Sequence, residues 1–227
     1  MQIKIEKEPY EEGQKIFKKN IIELEPNAIT CLVGCNGSGK STLLKEIIDH
    51  IDAEQITTDN SCKGLTEIFK FLSDKVEVVK DIYYYIFDKS TETSNSFDED
   101  MYNRLAHGQQ STGENIIRRF GKGLQVLGNW IRENKGKKLF IFFDDCDAGT
   151  SIDMINDIKD VFDLIIEDCK RNSIEYYMIL TSNSYEMCKD LNCISVIDFK
   201  PKKFKTYESY KKFVLKTRAE KEKRYKD

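Results

Sequence analysis

The stretch from residue 34 to residue 42 constrains the fold more than any other part of this 227-residue chain. It reads GCNGSGKST and fits the pattern G-x-x-x-x-G-K-[ST]. The apolar residues before it, 28–33, predict a strand, and residues 40–50 after it predict a helix. A glycine-rich turn between a strand and a helix lets backbone N–H groups and the positive end of the helix dipole face one anion. The stretch therefore predicts a phosphate-binding loop within an α/β fold.

The residues of this loop are the candidate nucleotide-binding residues. They are Gly34, Cys35, Asn36, Gly37, Ser38, Gly39, Lys40, Ser41 and Thr42. Lys40 has the length to contact the β- and γ-phosphates, and the Ser41 hydroxyl is a potential ligand of Mg²⁺. Several charge-assisted hydrogen bonds, of roughly 1.5–3 kcal/mol each, can converge on one triphosphate in such a loop. ATP and Mg²⁺ are therefore the expected cofactors.

A second motif consists of an apolar stretch that ends in two carboxylates. Residues 139–143 are wholly apolar, as is typical of a buried strand in a parallel sheet, and Asp144 and Asp145 follow them. Asp144 is predicted to hold Mg²⁺ together with Ser41, directly or through water. Asp145 is predicted to lie near the γ-phosphate and to orient or deprotonate a water molecule. The alternative is an ordinary strand that ends in a polar turn.

The remaining periodic segments complete an alternation of strands and helices. Apolar residues from Ile155 to Cys169 recur at alternating spacings of three and four, which predicts one helix over residues 152–171. Further strands are predicted at 176–181 and 194–199, and largely helical segments at 60–86 and 101–134. The predicted fold class is α/β: a phosphate-loop NTPase with a mostly parallel sheet flanked by helices and a small helical insertion. The expected domains are an ATP-binding domain over residues 1–199, with the insertion at about 60–134, and a basic tail over residues 200–227.

The loop sequence resembles that of the ATP-binding cassette class, which includes transporter subunits and DNA-maintenance ATPases of the SMC and RecF type. In that class the second motif ends in Asp-Glu, whereas this chain has Asp145 at the second position, a carboxylate shorter by one methylene. The resemblance implies an ATP hydrolase in which Asp145 is the catalytic carboxylate. The shorter side chain makes slow hydrolysis an expectation. The overall likeness is to small stand-alone ATP-binding proteins of bacteria and their phages.

Four residues before the second motif resemble the signature of the class, which is close to S-G-G-Q or S-G-G-E. They are Ser111, Thr112, Gly113 and Glu114. In the class this motif contacts the γ-phosphate bound by the other subunit, so the resemblance implies a homodimer that sandwiches ATP. The alternative is a helix N-cap, in which Ser111 caps the helix and Glu114 completes a capping box. The two interpretations are compatible.

The resemblance assigns two further positions. Asn183 follows a predicted strand, where the class places a histidine that senses the γ-phosphate; asparagine can hydrogen-bond a phosphate or a water but carries no charge. Tyr10 loosely fits the aromatic residue on which the class stacks adenine, with an ordinary packing or surface tyrosine as the alternative. Residues 147–153 are similar to the D-loop of the class, which lies across the dimer interface.

Charge is distributed unevenly along the chain. Residues 200–227 carry a net charge of +8 and the rest of the chain −11. A basic tail suggests an anionic partner, which is either DNA or RNA or the acidic body of the protein itself. The alternative is a solvated terminal helix whose aromatic residues pack on the domain.

Cysteine usage and hydropathy indicate the compartment. The seven cysteines form no compact framework with zinc spacing, so they are expected to be reduced and to act as small apolar residues. No apolar stretch approaches the ~20 residues of a membrane helix, and no apolar leader is present near the N-terminus. A cytoplasmic protein without direct membrane insertion is expected.

These observations support one leading function and three alternatives. The leading hypothesis is a Mg-dependent ATPase that dimerises on ATP and acts in nucleic acid maintenance or phage-related defence. The first alternative is a slow or inactive ATP-gated switch that recruits a protein partner, as Asp145 and Asn183 would favour. A transporter subunit ranks lower because no membrane-coupling segment is obvious. A small-molecule kinase ranks lowest because the paired carboxylates are typical of a hydrolase.

Overall fold

The computed structural model describes residues 1–5, 16–51, 54–55, 82–88, 127–148 and 150–223. The strands in these ranges are β1 (Gln2–Lys4), β2 (Ile21–Glu23), β3 (Ala28–Val33), β4 (Glu54–Gln55), β5 (Ile82–Asp88), β6 (Lys138–Asp144), β7 (Glu175–Ser182), β8 (Asn192–Ser195) and β9 (Pro201–Lys202). The helices are α1 (Lys40–His50), α2 (Ile152–Arg171), α3 (Tyr185–Cys188) and α4 (Tyr207–Lys223), and residues 127–133 are also helical.

The chain divides into two compact units. The first comprises Met1–Ile51, Phe143–Ala148 and Tyr177–Asp227. The second comprises Asp52–Phe142 and Gly149–Tyr176. Every described residue of the phosphate loop and of the second motif's carboxylate pair therefore lies in the first unit.

The first unit contains a mostly parallel sheet with the strand order β7-β3-β8-β9. β3 pairs in parallel with β7, where Val33 lies opposite Ser182, and with β8, where Val33 lies opposite Ser195. β9 pairs with β8 in the antiparallel direction. Parallel neighbours end at the same edge, so the segments that follow β3 and β7 meet at the carboxyl edge of the sheet. That edge is where open α/β sheets bind their ligands.

Apolar side chains of β3 and α1 form much of the core of the first unit. α1 buries Leu43, Leu44, Ile47 and Ile48, a spacing that places all four on one helix face. Removing each such side chain from water contributes roughly 1.5–3 kcal/mol. β1 and β2 form a separate two-stranded antiparallel sheet. In this sheet Ile3 lies opposite Ile22, and both side chains are buried.

The second unit has the strand order β4-β5-β6, with β4 and β5 parallel. All side chains of residues 139–142 are buried, and Phe140 stacks on Phe142 with ring centroids 6.2 Å apart. α2 buries one face, formed by Ile155, Ile158, Phe162, Ile165 and Cys169. These contacts explain why the apolar spacings in this part of the sequence predict a buried strand and a one-sided helix.

The C-terminal helix α4 belongs to the first unit and is held there by aromatic side chains. The rings of Phe204 and Tyr210 meet edge to face at 5.2 Å, and Tyr185 lies 6.0 Å from Tyr210. Tyr210 and Thr217 are the buried residues of the helix. Phe204, Tyr210 and Phe213 of the basic tail therefore pack on one another and on the domain, whereas most of the described lysines of the tail are exposed.

Most predicted elements agree with the structure, and two do not. The predicted strand at 194–199 is wrong for residues 196–199: β8 covers Asn192–Ser195, and a turn follows it, after which Phe199 has a φ of 53°. Val196 and Ile197 are buried by core packing rather than by strand pairing, which is why their apolar character was misleading. The predicted helical segment at 60–86 is wrong for its last residues, because Ile82–Asp88 is β5. Its Ile-Tyr-Tyr-Tyr-Ile-Phe sequence has the β-branched and aromatic composition that strands favour.

The six described cysteines are buried and free of disulfide bonds. Three of them, Cys31, Cys188 and Cys193, place their sulfur atoms within 4.8 Å of one another. Burial raises the pKa of the Cys31 thiol well above its ordinary value, which favours the neutral form. The expectation of reduced, apolar-like cysteines is met at these six positions. None of the helices in the described ranges combines the length and apolar character needed to cross a membrane.

Candidate nucleotide-binding site

The loop between β3 and α1 adopts a backbone that requires glycine at two positions. Gly39 has a φ of 98°, and a Cβ on it would lie 2.8 Å from Cγ2 of Ile16. A Cβ on Gly34 would clash with Oγ of Ser38 and would lie 2.9 Å from Cγ2 of Val196. The loop therefore packs against the domain too closely for a side chain at either position. The oxygen of Ser38 is buried inside the loop with no hydrogen-bond partner among the described residues.

Lys40 extends back along the loop from the first turn of α1. Its ammonium group donates to the carbonyl oxygens of Gly34 and Cys35, both at 3.2 Å, and to Oδ1 of Asn183 at 2.7 Å. Burial lowers the pKa of Lys40, and the negative charges of the nearby aspartates oppose that shift. All three of these acceptors are neutral oxygens, so a phosphate oxygen is a stronger partner for this cation than any of them.

Ser41 and Asp144 come together at the carboxyl edge of the sheet. The Ser41 hydroxyl donates to Oδ1 of Asp144 at 3.0 Å, and the Thr181 hydroxyl donates to the same oxygen. A hydroxyl and a carboxylate are the oxygen donors that Mg²⁺ prefers, so this pair fits that ion. Thr181, which lies in β7, fixes the position of the Asp144 carboxylate. The sequence did not reveal this contact; it showed only that the strand ends in polar residues.

Asp145 follows β6 with a left-handed backbone, at a φ of 53°. Its N–H donates to Oγ1 of Thr181 at 2.8 Å. Nδ2 of Asn183 donates to Oδ1 of Asp145 at 3.0 Å. Asn183 therefore bridges Lys40 and Asp145, since its amide oxygen accepts from the first and its amide nitrogen donates to the second.

Asp147 holds the segments after β6 and β7 together. Its Oδ2 accepts from the Ser182 hydroxyl and from the backbone N–H groups of Asn183, at 3.3 Å, and Ser184, at 2.9 Å. The residue is buried, and burial raises its pKa while the hydrogen bond from Ser182 opposes that rise. The resemblance placed Asp147 in an interface loop; in the first unit it also anchors the backbone of Asn183.

The C-terminal helix adds two contacts to the outer side of the loop. The N–H of Cys35 donates to Oγ1 of Thr217 at 3.1 Å. The ammonium group of Lys221 donates to the carbonyl oxygen of Asn36 at 3.0 Å. Sequence reasoning missed both residues, because nothing distinguishes them from the other polar residues of the basic tail.

Several candidate residues lie outside the described part of the chain. They are Tyr10, Ser111, Thr112, Gly113 and Glu114. Their assigned roles, adenine stacking and contact with a nucleotide in the partner subunit, stay predictions.

Comparison with known proteins places this site among nucleotide-binding domains. A family model described as an AAA domain matches residues 24–183, which span the loop, the second motif and Asn183. The phosphate import ATP-binding protein PstB 1 of Streptococcus pyogenes serotype M1 is 30% identical over 106 residues, which cover 46% of this chain and 40% of that protein. The same protein of serotype M3 matches equally. The chain thus spans about two fifths of the length of these curated relatives.

Two solved structures that match the chain come from ABC transporters. One is an ATP-binding cassette in its ADP conformation, with a TM-score of 0.47 and 17% identity, covering 96% of this chain and 99% of that chain. The other is cbiO1 from Clostridium perfringens, part of the ABC transporter complex cbiONQ, with a TM-score of 0.44 and 15% identity. That match covers 88% of this chain and 86% of the other.

Proposed function

The chain belongs to the AAA domain family, and from that premise we propose that it is a phosphate-loop ATPase of the ATP-binding cassette type. The triphosphate occupies the loop at residues 34–42, where Lys40 contacts its β- and γ-phosphates. Ser41 and Asp144 hold Mg²⁺. Asp145 orients the attacking water, and Asn183 orients Asp145.

The observation that carries this proposal is the hydrogen-bonded chain from Lys40 through Asn183 to Asp145. It connects the Lys40 ammonium, which can bind phosphate, to the Asp145 carboxylate, which can accept a hydrogen bond from water. The two hydrogen bonds are 2.7 Å and 3.0 Å long. The Ser41–Asp144 pair lies at the same edge of the sheet, linked to Asp145 through Thr181. Phosphate, metal and water ligands therefore occur together, as hydrolysis of a phosphoanhydride requires.

The proposed reaction is an in-line displacement at the γ-phosphorus. The water oxygen forms a bond to phosphorus while the bond to the β,γ-bridging oxygen breaks, giving ADP and inorganic phosphate. Asp145 accepts a hydrogen bond from the water and receives its proton. Lys40 exchanges its three acceptors, the carbonyl oxygens of Gly34 and Cys35 and Oδ1 of Asn183, for phosphate oxygens and stabilises the negative charge there. When bound, Mg²⁺ supplies further positive charge at the β- and γ-phosphate oxygens.

Turnover is proposed to be slow. Asp145 is shorter than the glutamate of the cassette class, and Asn183 replaces a group that can carry charge. Both differences weaken stabilisation of the transition state without removing a phosphate contact. The same two differences favour the second candidate function, an ATP-gated protein-interaction switch with little hydrolysis.

The working form is proposed to be a homodimer that closes on ATP, with the residues at 111–114 completing the site of the partner. The test is phosphate release from Mg-ATP, measured over a range of protein concentrations with Lys40→Ala as the control. A rate per protein molecule that rises with concentration supports catalysis in a dimer. A concentration-independent rate contradicts it. Release no faster than in Lys40→Ala, together with retained ATP binding, favours the switch.

The cellular process served by the ATPase is proposed to be nucleic acid maintenance or phage-related defence. The support is the row of exposed lysines on the C-terminal tail, whose aromatic residues are used for packing. Stimulation of phosphate release by duplex DNA or RNA, lost in high salt, would support this process. The transporter subunit is the competing proposal, and the names of the curated relatives favour it. Co-purification with an integral membrane protein, without stimulation by nucleic acid, would favour the transporter.

A further inference from the structure

The C-terminal helix α4 contacts the phosphate loop through two side chains one helical turn apart. Thr217 accepts a hydrogen bond from the N–H of Cys35, and Lys221 donates one to the carbonyl oxygen of Asn36. Thr217 is buried, and its own hydroxyl hydrogen is used toward the carbonyl oxygen of Val214 at 2.8 Å. The direction of the Thr217 Oγ1 lone pair that accepts from Cys35 is therefore fixed. Glu220 pairs with Lys18 at 2.6 Å and holds the same turn of the helix against the N-terminal segment.

The contact with Lys221 fixes the direction of a peptide group at the tip of the loop. A trans peptide is planar, and its C=O and N–H point in opposite directions. Holding the carbonyl of Asn36 toward Lys221 therefore directs the N–H of Gly37 away from the helix. Gly37 has a φ of 69°, and a Cβ there would lie 2.8 Å from the Lys221 nitrogen, which shows how closely the ammonium approaches the backbone. Successive N–H groups in such a turn form an anion-binding concavity.

We propose that Thr217 and Lys221 are positioning residues of the nucleotide site, and that α4 preorganises the loop for a nucleoside di- or triphosphate. The proposal rests on the proposed nucleotide binding at residues 34–42. A loop already held in its binding conformation loses less conformational entropy when the phosphates bind. The Lys221 ammonium also adds positive charge beside the loop, in addition to Lys40, and favours the polyanion.

The test compares variants of α4 in the full chain. Lys221→Met removes the charge and the donor; Lys221→Arg keeps both; Lys216→Met removes an exposed lysine from the same helix. The dissociation constants of ADP and a non-hydrolysable ATP analogue are measured by calorimetry, and phosphate release at saturating ATP gives kcat. Lys221→Met is expected to weaken binding of both nucleotides by about tenfold, the value of one charge-assisted hydrogen bond, and to lower kcat by less than that. Arginine is expected to restore affinity, and Lys216→Met to leave it unchanged.

Thr217→Val supplies an independent readout that needs no nucleotide. It is expected to accelerate amide hydrogen exchange at Cys35 in the free protein, while leaving exchange in the core of β3 unchanged. Thermal unfolding of each variant without nucleotide separates a positioning role from a general loss of stability.

Two results would overturn the proposal. One is equal or tighter nucleotide binding by Lys221→Met in a chain as stable as wild type, which would make the contact with α4 neutral or inhibitory. The other is a loss of affinity shared by Lys216→Met. If the wild-type chain binds neither nucleotide, the proposed function itself fails. If the wild type binds and Lys221→Met binds equally well, only the positioning role fails.

Discussion

Replacement of Asn183 by alanine tests the bridge between the phosphate-binding lysine and the carboxylate proposed to orient water. In the wild type, Asn183 accepts from Lys40 at 2.7 Å and donates to Asp145 at 3.0 Å. When ATP binds, Lys40 exchanges its bond to Asn183 for bonds to phosphate. Loss of the Asn183 side chain should therefore change the affinity of the protein for ATP only a little. The bond to Asp145 persists through the reaction. The variant should therefore affect kcat more than the dissociation constant of ATP.

The size of the effect follows from that one hydrogen bond. A bond to a charged group contributes about 1.5–3 kcal/mol, and the lower value applies because this pair is exposed to solvent. Since about 1.4 kcal/mol corresponds to a tenfold change in rate, kcat should fall by about tenfold, with about a hundredfold as the upper bound. Asn183→Asp should lower kcat further, because it replaces the donor with a second negative charge beside Asp145.

The assay is steady-state phosphate release at saturating Mg-ATP, combined with calorimetric titration of a non-hydrolysable analogue. Thermal unfolding of each variant serves as the stability control. An unchanged kcat in Asn183→Ala would refute the role of the bridge. A large loss of nucleotide affinity with kcat preserved would show instead that Asn183 acts on Lys40 in the bound state.

Three further predictions concern the metal, the pH dependence and the core. Asp144→Ala should abolish the Mg²⁺ dependence of nucleotide binding while leaving metal-free binding of ADP, which calorimetry with and without Mg²⁺ measures. Burial raises the pKa of Asp147, so the folded state binds that proton more tightly than the unfolded state; the free energy of unfolding contributed by this group falls as pH rises above its ordinary pKa of about 3.9. Relative to wild type, Asp147→Asn should therefore gain in stability as the pH rises above that ordinary pKa, as measured by denaturant titrations at several pH values. A stability difference that does not change with pH would contradict this. Phe162→Ala, at a fully buried position of α2, should lower the free energy of unfolding by about 3–5 kcal/mol in urea titrations, whereas Leu164→Ala, at an exposed position, should change it little.

The elements that local patterning specifies were predicted with their boundaries. α1 follows from the glycine-rich turn, and α2 from apolar spacings of three and four that one helix face must bury. The phosphate-loop domain expected from the loop is confirmed by the match to the AAA domain family. The roles of the individual site residues stay predictions, although the structure brings Lys40, Ser41, Asp144, Asp145 and Asn183 to one edge of the sheet.

The predicted strand extended too far because a residue can be buried without pairing in a strand. Val196 and Ile197 are apolar and buried, yet they belong to a turn, because tertiary packing rather than a strand partner shields them. The sequence also does not reveal which cysteines lie together, whereas the parallel pairing of β3 with β8 places Cys31 opposite Cys193.

The sequence by itself determined the phosphate loop, the strand that ends in two aspartates and the α/β class, because each depends on residue types at fixed short spacings. Only the tertiary structure decided which distant polar groups complete the site. Thr181 and Asn183 contact the aspartates because β7 lies between β3 and β6, and Thr217 and Lys221 contact the loop because aromatic packing docks α4 beside it. Hydrogen bonds act over about 3 Å, so chain segments far apart in sequence become partners only when the core has fixed their places.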